Sequence, residues 1–521
     1  MTLYLPSGSG TDWGDPNTWS PKGIPGAGDE VELNLAPTIT TDGETVGSVE
    51  GAETPTVLEG TGLTVTGDLT SVILDGGNYQ AGNFFGTLET GQLTGGTVSG
   101  IVSGGAVTQS DNFNGTVTGG SVQTDDLLYG NIIGGEVTAT TVNGGFVQGG
   151  QVTAGSALIQ YTSDTAGTGE FTVLSGTFTD GGALTVGGGL FEVYGTGQAT
   201  IAGLVSVTAT DGIIEVGAIR SAPAGGTLTL NGGLSITGFL GQLYVGGGGT
   251  ATVNGTTTVD DSGLLRVQGL GEKAIFNGAV KLGESASAGS LEMFTGTVNI
   301  TAGGTALRLG EGNVNVEGGK LTVTGNTVIG DLAGQTAQFE VYGGTAVLKG
   351  TMAVGVSAGA TGSVTVDGAG DVLSAGGEVF IGTAGEGSLA LSASGTVSAT
   401  GSGSSGRMQI GSGGTVSGNG TISSTFTAAG SAGAWSLSIY DSGAIVASGG
   451  TLTIDAKVYV VSGGREVSAT IGSGGSDTIS SGGTASGMMI NSGAKESVFS
   501  GGVASATVLS AGVTSGGASQ T

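Results

Sequence analysis

The fold is indicated most clearly by Ile479-Ser-Ser-Gly-Gly-Thr-Ala-Ser-Gly-Met-Met-Ile-Asn-Ser-Gly-Ala-Lys-Glu-Ser497, which is one unit of a 19-residue repeat. Glycines and small apolar residues return in phase over successive units. A fixed period of this length indicates a solenoid, in which like side chains stack from coil to coil. The equivalent positions are Ser-Gly-Gly at 462–464, 481–483 and 500–502, the glycines Gly474, Gly493 and Gly512, and the apolar residues Ile471, Ile490 and Leu509.

Upstream of these repeats, a looser unit ends in an aliphatic residue followed by glycine. These glycines are 20 to 29 residues apart, which is long enough for one coil of three short strands and their corners. Segments such as Gly62-Leu-Thr-Val-Thr-Gly67 alternate apolar and polar residues, the pattern of a half-buried strand. The unit occurs at Leu282-Gly283, Leu309-Gly310, Ile329-Gly330, Val354-Gly355, Ile381-Gly382 and Ile410-Gly411.

The segment 1–55 differs from the rest of the chain. It contains six of the seven prolines, together with Trp13 and Trp19. Proline cannot donate to a strand ladder, and repeat proteins need atypical units that cover their ends. We therefore predict an N-terminal cap at 1–55, a degenerate β-solenoid body at 56–455 and regular 19-residue repeats at 456–521.

The composition favours the same architecture. The 521 residues include 114 glycines and are 37% hydrophobic but only 5% aromatic. Such a chain is too apolar for disorder and too poor in aromatic residues for a thick core. Thin layers of small apolar side chains between short strands satisfy both conditions. The predicted fold class is all-β, a long parallel β-helix (β-solenoid) with an irregular N-terminal cap.

The charge distribution excludes several partners. The net charge is −29, and the interval between Lys22 and Arg220 contains 21 acidic residues but no lysine or arginine. Nucleic acids and anionic membrane surfaces both require cationic side chains, so neither is an expected partner. Membrane insertion is not expected either, because no apolar run approaches the ~18 residues of a spanning helix.

The 19-residue unit at 479–497 resembles the passenger repeats of AIDA-type autotransporter adhesins, and residues 328–422 are similar to autotransporter passenger repeats. Trp13-Gly-Asp-Pro-Asn-Thr-Trp19, followed by Gly23-Ile-Pro-Gly-Ala-Gly-Asp29, resembles a segment at the start of many bacterial solenoid surface proteins. The resemblance implies an extracellular β-helix on the bacterial cell surface, used in adhesion, autoaggregation or matrix building. It also implies heptose on serine in some members, but we prefer to interpret the equivalent serines of this chain as plain corner residues. The equivalent positions here are Ser462, Ser481 and Ser500.

The sequence offers no catalytic constellation. Histidine and cysteine are absent, which removes the commonest general base and the thiolate nucleophile. The paired carboxylates Asp125-Asp126 and Asp260-Asp261 are chain neighbours, which point to opposite faces of a strand, so we interpret them as solvated corners. We predict no catalytic or cofactor-binding residue and no enzymatic activity; a glycan-active β-helix enzyme is the remote alternative.

Two further motifs have ordinary interpretations. Asp477, in Gly474-Gly-Ser-Asp-Thr-Ile479, is a lone partial match to the repeat of calcium-binding rolls. We therefore predict no dedicated metal site and no cofactor, although the acidic surface allows weak Ca²⁺ binding. Tyr79, Phe84 and Phe85 form an aromatic cluster that fits either an adhesive patch or, preferably, core filling.

These observations together predict an extracellular structural protein. The repeats run on in register to the last residues, and an unpaired strand edge is a template for another copy. We expect the β-solenoid to self-assemble head-to-tail, as a homo-oligomer, into a filament, layer or matrix. The alternative is an autotransporter-like adhesin passenger that mediates cell–cell or surface attachment through a surface or carbohydrate ligand.

Overall fold

The computed structural model of the chain describes residues 2–7, 12–33, 38–39, 44–51, 56–60, 62–160, 169–208, 210–217, 224–285, 287–392, 395–399, 407–423, 438–441, 443–447, 452–455, 457–473, 475–510 and 519–520. The chain divides into two compact units. The first comprises residues 1–207 and 212–232, and the second comprises 208–211 and 233–521.

The described residues form strands joined by tight corners and contain no helix, which confirms the all-β prediction. It follows that none of the described segments is a helix that could cross a membrane. The strands of the first unit are β1 Leu3–Pro6, β2 Trp19–Ser20, β3 Glu30–Leu33, β4 Thr38–Ile39, β5 Glu44–Val46, β6 Ser48–Gly51, β7 Thr56–Gly60, β8 Gly62–Asp75, β9 Asn78–Leu88, β10 Gln92–Val98, β11 Ile101–Val102, β12 Ala106–Phe113, β13 Thr116–Val117, β14 Ser121–Leu127, β15 Gly130–Ile132, β16 Glu136–Val142, β17 Gly145–Val147, β18 Gln151–Gln160, β19 Glu170–Val173, β20 Thr177–Asp180, β21 Leu184–Gly187, β22 Leu190–Val193, β23 Gln198–Ile201, β24 Val205–Val207, β25 Ile213–Val216 and β26 Thr227–Leu230.

The second unit continues with strands of the same kind. They are β27 Leu234–Ile236, β28 Gln242–Gly246, β29 Thr250–Val253, β30 Thr257–Val259, β31 Gly263–Gln268, β32 Lys273–Phe276, β33 Val280–Leu282, β34 Gly289–Met293, β35 Thr297–Leu309, β36 Gly312–Val316, β37 Lys320–Ile329, β38 Thr336–Val341, β39 Thr345–Leu348, β40 Met352–Val354, β41 Thr361–Asp367, β42 Val372–Ala375, β43 Val379–Ile381, β44 Glu386–Ser392, β45 Thr396–Ala399, β46 Arg407–Ile410, β47 Gly414–Gly418, β48 Thr421–Ser423, β49 Ser438–Asp441, β50 Ala444–Ala447, β51 Thr453–Asp455, β52 Lys457–Val460, β53 Arg465–Val467, β54 Thr470–Ile471, β55 Ser476–Ile479, β56 Thr484–Ser486, β57 Met489–Ile490, β58 Lys495–Val498, β59 Val503–Ser505, β60 Val508–Leu509 and β61 Ser519–Gln520.

In the first unit, parallel pairing between coils stacks like side chains on one another. Val122 of β14 pairs with Val137 of β16, which pairs with Val152 of β18, so the step from coil to coil is constant here. All three valines are buried. Strand residues alternate between the interior and the outer face, so a coil needs only a few apolar side chains to fill its interior. This register establishes the predicted β-solenoid for the first unit.

A cluster of phenylalanines fills the core of neighbouring coils in the first unit. The rings of Phe171 and Phe191 stack in neighbouring coils at 5.9 Å, and the ring of Phe178 packs 4.7 Å from that of Phe171. All three side chains are buried. Aromatic contacts of this kind fill a wider cross-section than valine can.

The N-terminal strands are irregular, as predicted. β1 pairs antiparallel with β2 and parallel with β3, so the chain reverses before the parallel ladder begins. Trp13 and Trp19 meet edge to face at 4.8 Å, and the Trp19 Nε1–H donates to the Trp13 carbonyl oxygen (2.8 Å). The Asp29 carboxylate accepts the N–H groups of Gly26 and Thr2, which hold the pKa of Asp29 below its usual value.

In the second unit, the aliphatic-glycine repeat identified in the sequence forms one vertical column. The aliphatic residue ends a strand in each coil and pairs with its equivalent in the next coil. We call these residues the end column. All of them are fully buried. From the first coil to the last, the end column is Leu282, Leu309, Ile329, Val354, Ile381 and Ile410.

Gly355, which follows Val354 of the end column, is required by the backbone conformation of its corner. Gly355 follows Val354 with a φ of 64°, a left-handed conformation that side chains disfavour. A Cβ on Gly355 would also meet the backbone carbonyl of Glu386 in the next coil. The chain turns its corner here with the neighbouring coil lying directly against it.

The last coils keep the 19-residue period that the sequence predicts. Lys457, Ser476 and Lys495 pair in successive coils, and each is displaced from the previous one by one full repeat. Ile471 and Ile490 stack in the same way and are buried. The repeat therefore corresponds to one complete coil.

Candidate functional surface

The first unit carries a concave polar groove on its outer face, with a volume of about 480 Å³. The groove runs across β9, β10, β12, β14 and β16 of successive coils. Its volume lies within the range of ~300–1,000 Å³ that is usual for ligand sites. We call this feature the polar groove. Its polar side chains are Gln80, Thr94, Ser110, Asp111, Gln123, Thr124, Asp125, Thr138 and Thr140.

Two carboxylates from neighbouring coils lie side by side in the polar groove. Ser110 pairs with Thr124, so Asp111 and Asp125, which follow them, occupy the same position in adjacent coils. Both carboxylates are exposed. Gly96 occupies the equivalent position in the coil before that of Asp111. A Cβ at Gly96 would lie 3.7 Å from Asp111 Oδ2, so the glycine leaves space beside this carboxylate. The arrangement provides a row of hydrogen-bond acceptors along the groove.

The predicted pair Asp125-Asp126 is divided between two environments. Asp125 lines the polar groove, whereas Asp126 is half-buried and accepts a hydrogen bond from the Thr141 hydroxyl of the next coil. The two neighbours do not form a two-carboxylate site together, as predicted. The partner of Asp125 in the groove is instead Asp111, one coil earlier. In the sequence, the only indication of this pairing is that Asp111 precedes Asp125 by the length of one coil.

The other predicted acidic pair is only partly a solvated corner. Asp261 is exposed with a φ of 54°, as a corner residue would be. Asp260, however, is buried, and its Oδ1 accepts the backbone N–H of Glu284 in the next coil at 2.7 Å. The prediction was therefore wrong for Asp260, because its carboxylate satisfies a backbone donor between coils and stays inside.

The aromatic cluster is mostly core, as the preferred interpretation had it. Tyr79 and Phe84 are buried, whereas Phe85 is 43% exposed. Phe85 and the exposed Ile101 line a shallow apolar groove of about 300 Å³. One of the three predicted aromatic residues is thus available at the surface.

The repeated corner serines stand in one exposed row. Ser462, Ser481 and Ser500 are all exposed at the turns between coils. The glycines that follow them have φ values of 91°, 80° and 84°, so the three corners share one geometry. This placement suits a plain corner residue and a modified serine equally well.

Asp477 does not lie on the surface. Its side chain points into the core of the last coils with no exposed area, beside the equally buried Glu466. Burial raises the pKa of Asp477 to about 7, and burial raises the pKa of Glu466 well above its usual range. The partial match to a calcium-binding corner was therefore misleading, because inward strand position and not the surrounding glycines decides where this carboxylate points.

The described residues offer no group of three or more acidic side chains arranged to hold a metal ion. Several cations of the second unit are engaged in ion pairs. Arg266 pairs with Glu292 at 2.6 Å and lies 5.2 Å over the Phe294 ring. Arg308 bridges to Glu284 (2.7 Å) and to Asp331 (2.5 Å).

Some exposed apolar side chains had no signal in the sequence. Tyr342 is 61% exposed on the outer face directly after β38, and Leu270 is 88% exposed at a corner. Tyr342 follows an ordinary alternating strand and Leu270 lies between two corner glycines, so only the direction in which the strand or corner ends brings each side chain outside.

Comparison with known proteins finds likenesses among solved structures. No protein-family model matches the chain, and no curated protein matches its sequence. Among solved structures, the chain is similar to the crystal structure of a TibC-catalyzed, hyper-glycosylated fragment of TibA. The two are 20% identical over 71% of this chain and 95% of that chain, with a TM-score of 0.26. A TM-score this low carries no argument, so the β-solenoid is assigned from the strand pairing, and the likeness to AIDA-type passengers remains that of the repeats.

Proposed function

We propose that this protein is an extracellular, non-catalytic β-solenoid of the bacterial cell surface that mediates attachment, and that the polar groove binds neutral polysaccharide. The polar groove is the observation that carries the proposal. It is concave, and hydroxyl, amide and carboxylate groups line it over several coils. Sugar hydroxyl groups both donate and accept hydrogen bonds, so they complement such a lining.

The charge of the first unit favours a neutral ligand. The two carboxylates in the groove are exposed, and the sequence from residue 23 to 219 contains no lysine or arginine that could balance an anionic sugar. A polyanion would meet repulsion along the whole row of coils. Neutral chains of hexoses meet acceptors without that cost.

The test is binding of the full chain to immobilised polysaccharides. We expect retention on at least one neutral glucan, mannan or galactan and none on an anionic polymer such as alginate. Substitution of both groove carboxylates, Asp111→Ala with Asp125→Ala, should weaken binding about tenfold or more, because several hydrogen bonds to hydroxyl groups are lost.

A matched control removes two exposed carboxylates elsewhere in the same unit, Glu89→Ala with Glu136→Ala. This variant changes the net charge equally and should bind like the parent. Equal weakening in both variants would show that net charge and not the groove determines binding. Release of reducing ends from any bound polysaccharide would contradict the non-catalytic role.

Head-to-tail assembly is a second proposal, supported by a different observation. Val503, Val508 and Leu509 on β59 and β60 are 54%, 58% and 40% exposed. Leu509 pairs with the buried Ile490, so it occupies an inward position that no described residue covers. An exposed apolar coil with strand edges accepts a further coil, from the same chain or from another molecule.

The assembly proposal is tested by sedimentation velocity and electron microscopy of the full chain. Concentration-dependent rods or filaments that Val508→Lys abolishes would support it. A sedimentation coefficient that does not change with concentration would contradict it and leave the polysaccharide proposal unaffected.

A further inference from the structure

Carboxylic acids occupy core positions in the last coils of the second unit. Asp441, Glu466, Asp477 and Glu496 have no exposed area, although each belongs to a short strand. We call these four residues the acid stack. Carboxylates are almost never fully buried without a partner of opposite charge, so four in consecutive coils require an explanation.

Asp441, Glu466 and Asp477 each follow an aliphatic residue in their column, and Glu496 follows Asp477. Asp477 follows Val458 in its column and is followed by Glu496. Glu466 lies between Ile445 and Ala485 in the neighbouring column. The acids therefore occupy positions where the earlier coils place apolar side chains.

The described coils around the acid stack place their cations outside. Glu466 and Asp477 lie within hydrogen-bonding reach of each other, and Asp477 also accepts the Thr478 N–H. Asp441 accepts the Gly443 N–H at 2.9 Å. Glu496 accepts the Thr507 hydroxyl at 3.0 Å. The basic residues of β52, β53 and β58 are exposed on the outer face; they are Lys457, Arg465 and Lys495.

A proton resolves the conflict. An ionised carboxylate only accepts hydrogen bonds, so Glu466 and Asp477 cannot satisfy each other while both are charged. A proton on either one makes it a donor to the other and removes one buried negative charge. We infer that the last coils take up protons when they form, and that the acid stack makes their closure depend on acidic pH.

The pKa shifts of the acid stack have the direction that this inference requires. Burial raises the pKa of Asp441 to about 6 and that of Asp477 to about 7, and it raises the pKa of Glu466 well above its usual value. Because the folded coils hold protons that an unfolded segment releases, their stability is complete below about pH 4. It is lost as the pH rises towards 7.

Hydrogen exchange measured by mass spectrometry on the full chain tests the inference. After correction for intrinsic exchange, peptides covering 457–498 should lose protection about tenfold or more between about pH 5 and about pH 8. Peptides covering 336–354, where the buried side chains are all apolar, provide the internal reference and should change little. Unchanged protection of 457–498 across this range would overturn the inference.

Neutral variants sharpen the test. Glu466→Gln combined with Asp477→Asn should remove most of the difference between the two pH values. Asp477→Val restores the apolar residue of its column and serves if the amide variant fails to fold. Retention of the full pH dependence in both variants would show that other groups cause it.

A measurement with and without Ca²⁺ distinguishes proton binding by the acid stack from metal binding. Wild-type protection of 457–498 at about pH 8 should be the same with Ca²⁺ and with EDTA. Recovery of protection with Ca²⁺, lost in Glu466→Gln with Asp477→Asn, would overturn the proton reading, because the acids would then be ligands for a cation.

Discussion

The second unit builds the same coil in two ways, and the difference lies in the core. From Leu282 to Ile410 the end column is aliphatic in every coil, whereas Asp441 occupies the next position of that column and Val460 the one after it. Parallel pairing from coil to coil continues through both regions. Strand pairing thus tolerates a carboxyl group inside, and the chemistry of the core can vary while the architecture is kept.

The comparison also shows what the acidic coils lose. An aliphatic column contributes burial free energy at every pH, about 1.5–3 kcal/mol per side chain. A buried carboxyl contributes only when it carries its proton. We therefore expect the two regions to have similar protection in acid and different protection at neutral pH.

The largest effect is expected when the aliphatic region is given an acid. Ile381→Asp should destabilise its coil by about 5 kcal/mol at neutral pH, because apolar contacts are lost and a polar group is buried without a partner. Hydrogen exchange of peptides around 372–391 measures the loss. Ile381→Val, which should cost only about 1 kcal/mol, is the control for packing. Similar effects of the two variants would mean that this column does not exclude charge.

The converse change should stabilise the acidic region. Asp477→Val removes a carboxyl whose pKa rises on folding from 3.8 to about 7, equivalent to about 4 kcal/mol at the upper end of that range. The gain in local stability should be large at about pH 8 and small at about pH 4, because the wild-type group is already protonated in acid. A gain of the same size at both pH values would indicate packing alone.

Asp441→Asn should also stabilise its coil, but the gain should appear at lower pH than that of Asp477→Val. Burial raises the pKa of Asp441 to about 6, so the wild-type coil should lose about 3 kcal/mol as the pH rises from about 4 to about 7. The amide keeps an oxygen for the Gly443 N–H but does not titrate. Local exchange that remains as steeply dependent on pH in the variant would assign the effect to the other acids.

The smallest effect is expected from a glycine substitution at a corner of the aliphatic region, a kind of corner that the acidic region does not share. Gly355→Ala should destabilise its coil by about 1–2 kcal/mol, because the residue has a φ of 64° and its Cβ would meet the next coil. Gly303→Ala, where a Cβ meets nothing within 4 Å, is the matched control and should be nearly neutral. Thermal unfolding monitored by local exchange distinguishes them.

Much of the fold could be predicted from the sequence. The aliphatic-glycine unit predicted the end column residue by residue, and the 19-residue period predicted the stacking of Ile471 on Ile490. Both are local patterns repeated along the chain, so spacing alone reports which residues meet. The candidate site was less accessible, because Asp111 and Asp125 become neighbours only through the length of one particular coil.

The order of amino acids was enough to specify the class of protein: an all-β solenoid with irregular N-terminal strands, a strongly acidic composition and repeats whose period equals one coil. It was not enough to say which polar residues are outside and which are inside. Asp125 and Asp477 are both aspartates in strands of alternating pattern, yet one lines a groove and the other is buried. Alternation along a strand specifies two faces, but the register between coils, which exists only in the folded molecule, determines which face is the core.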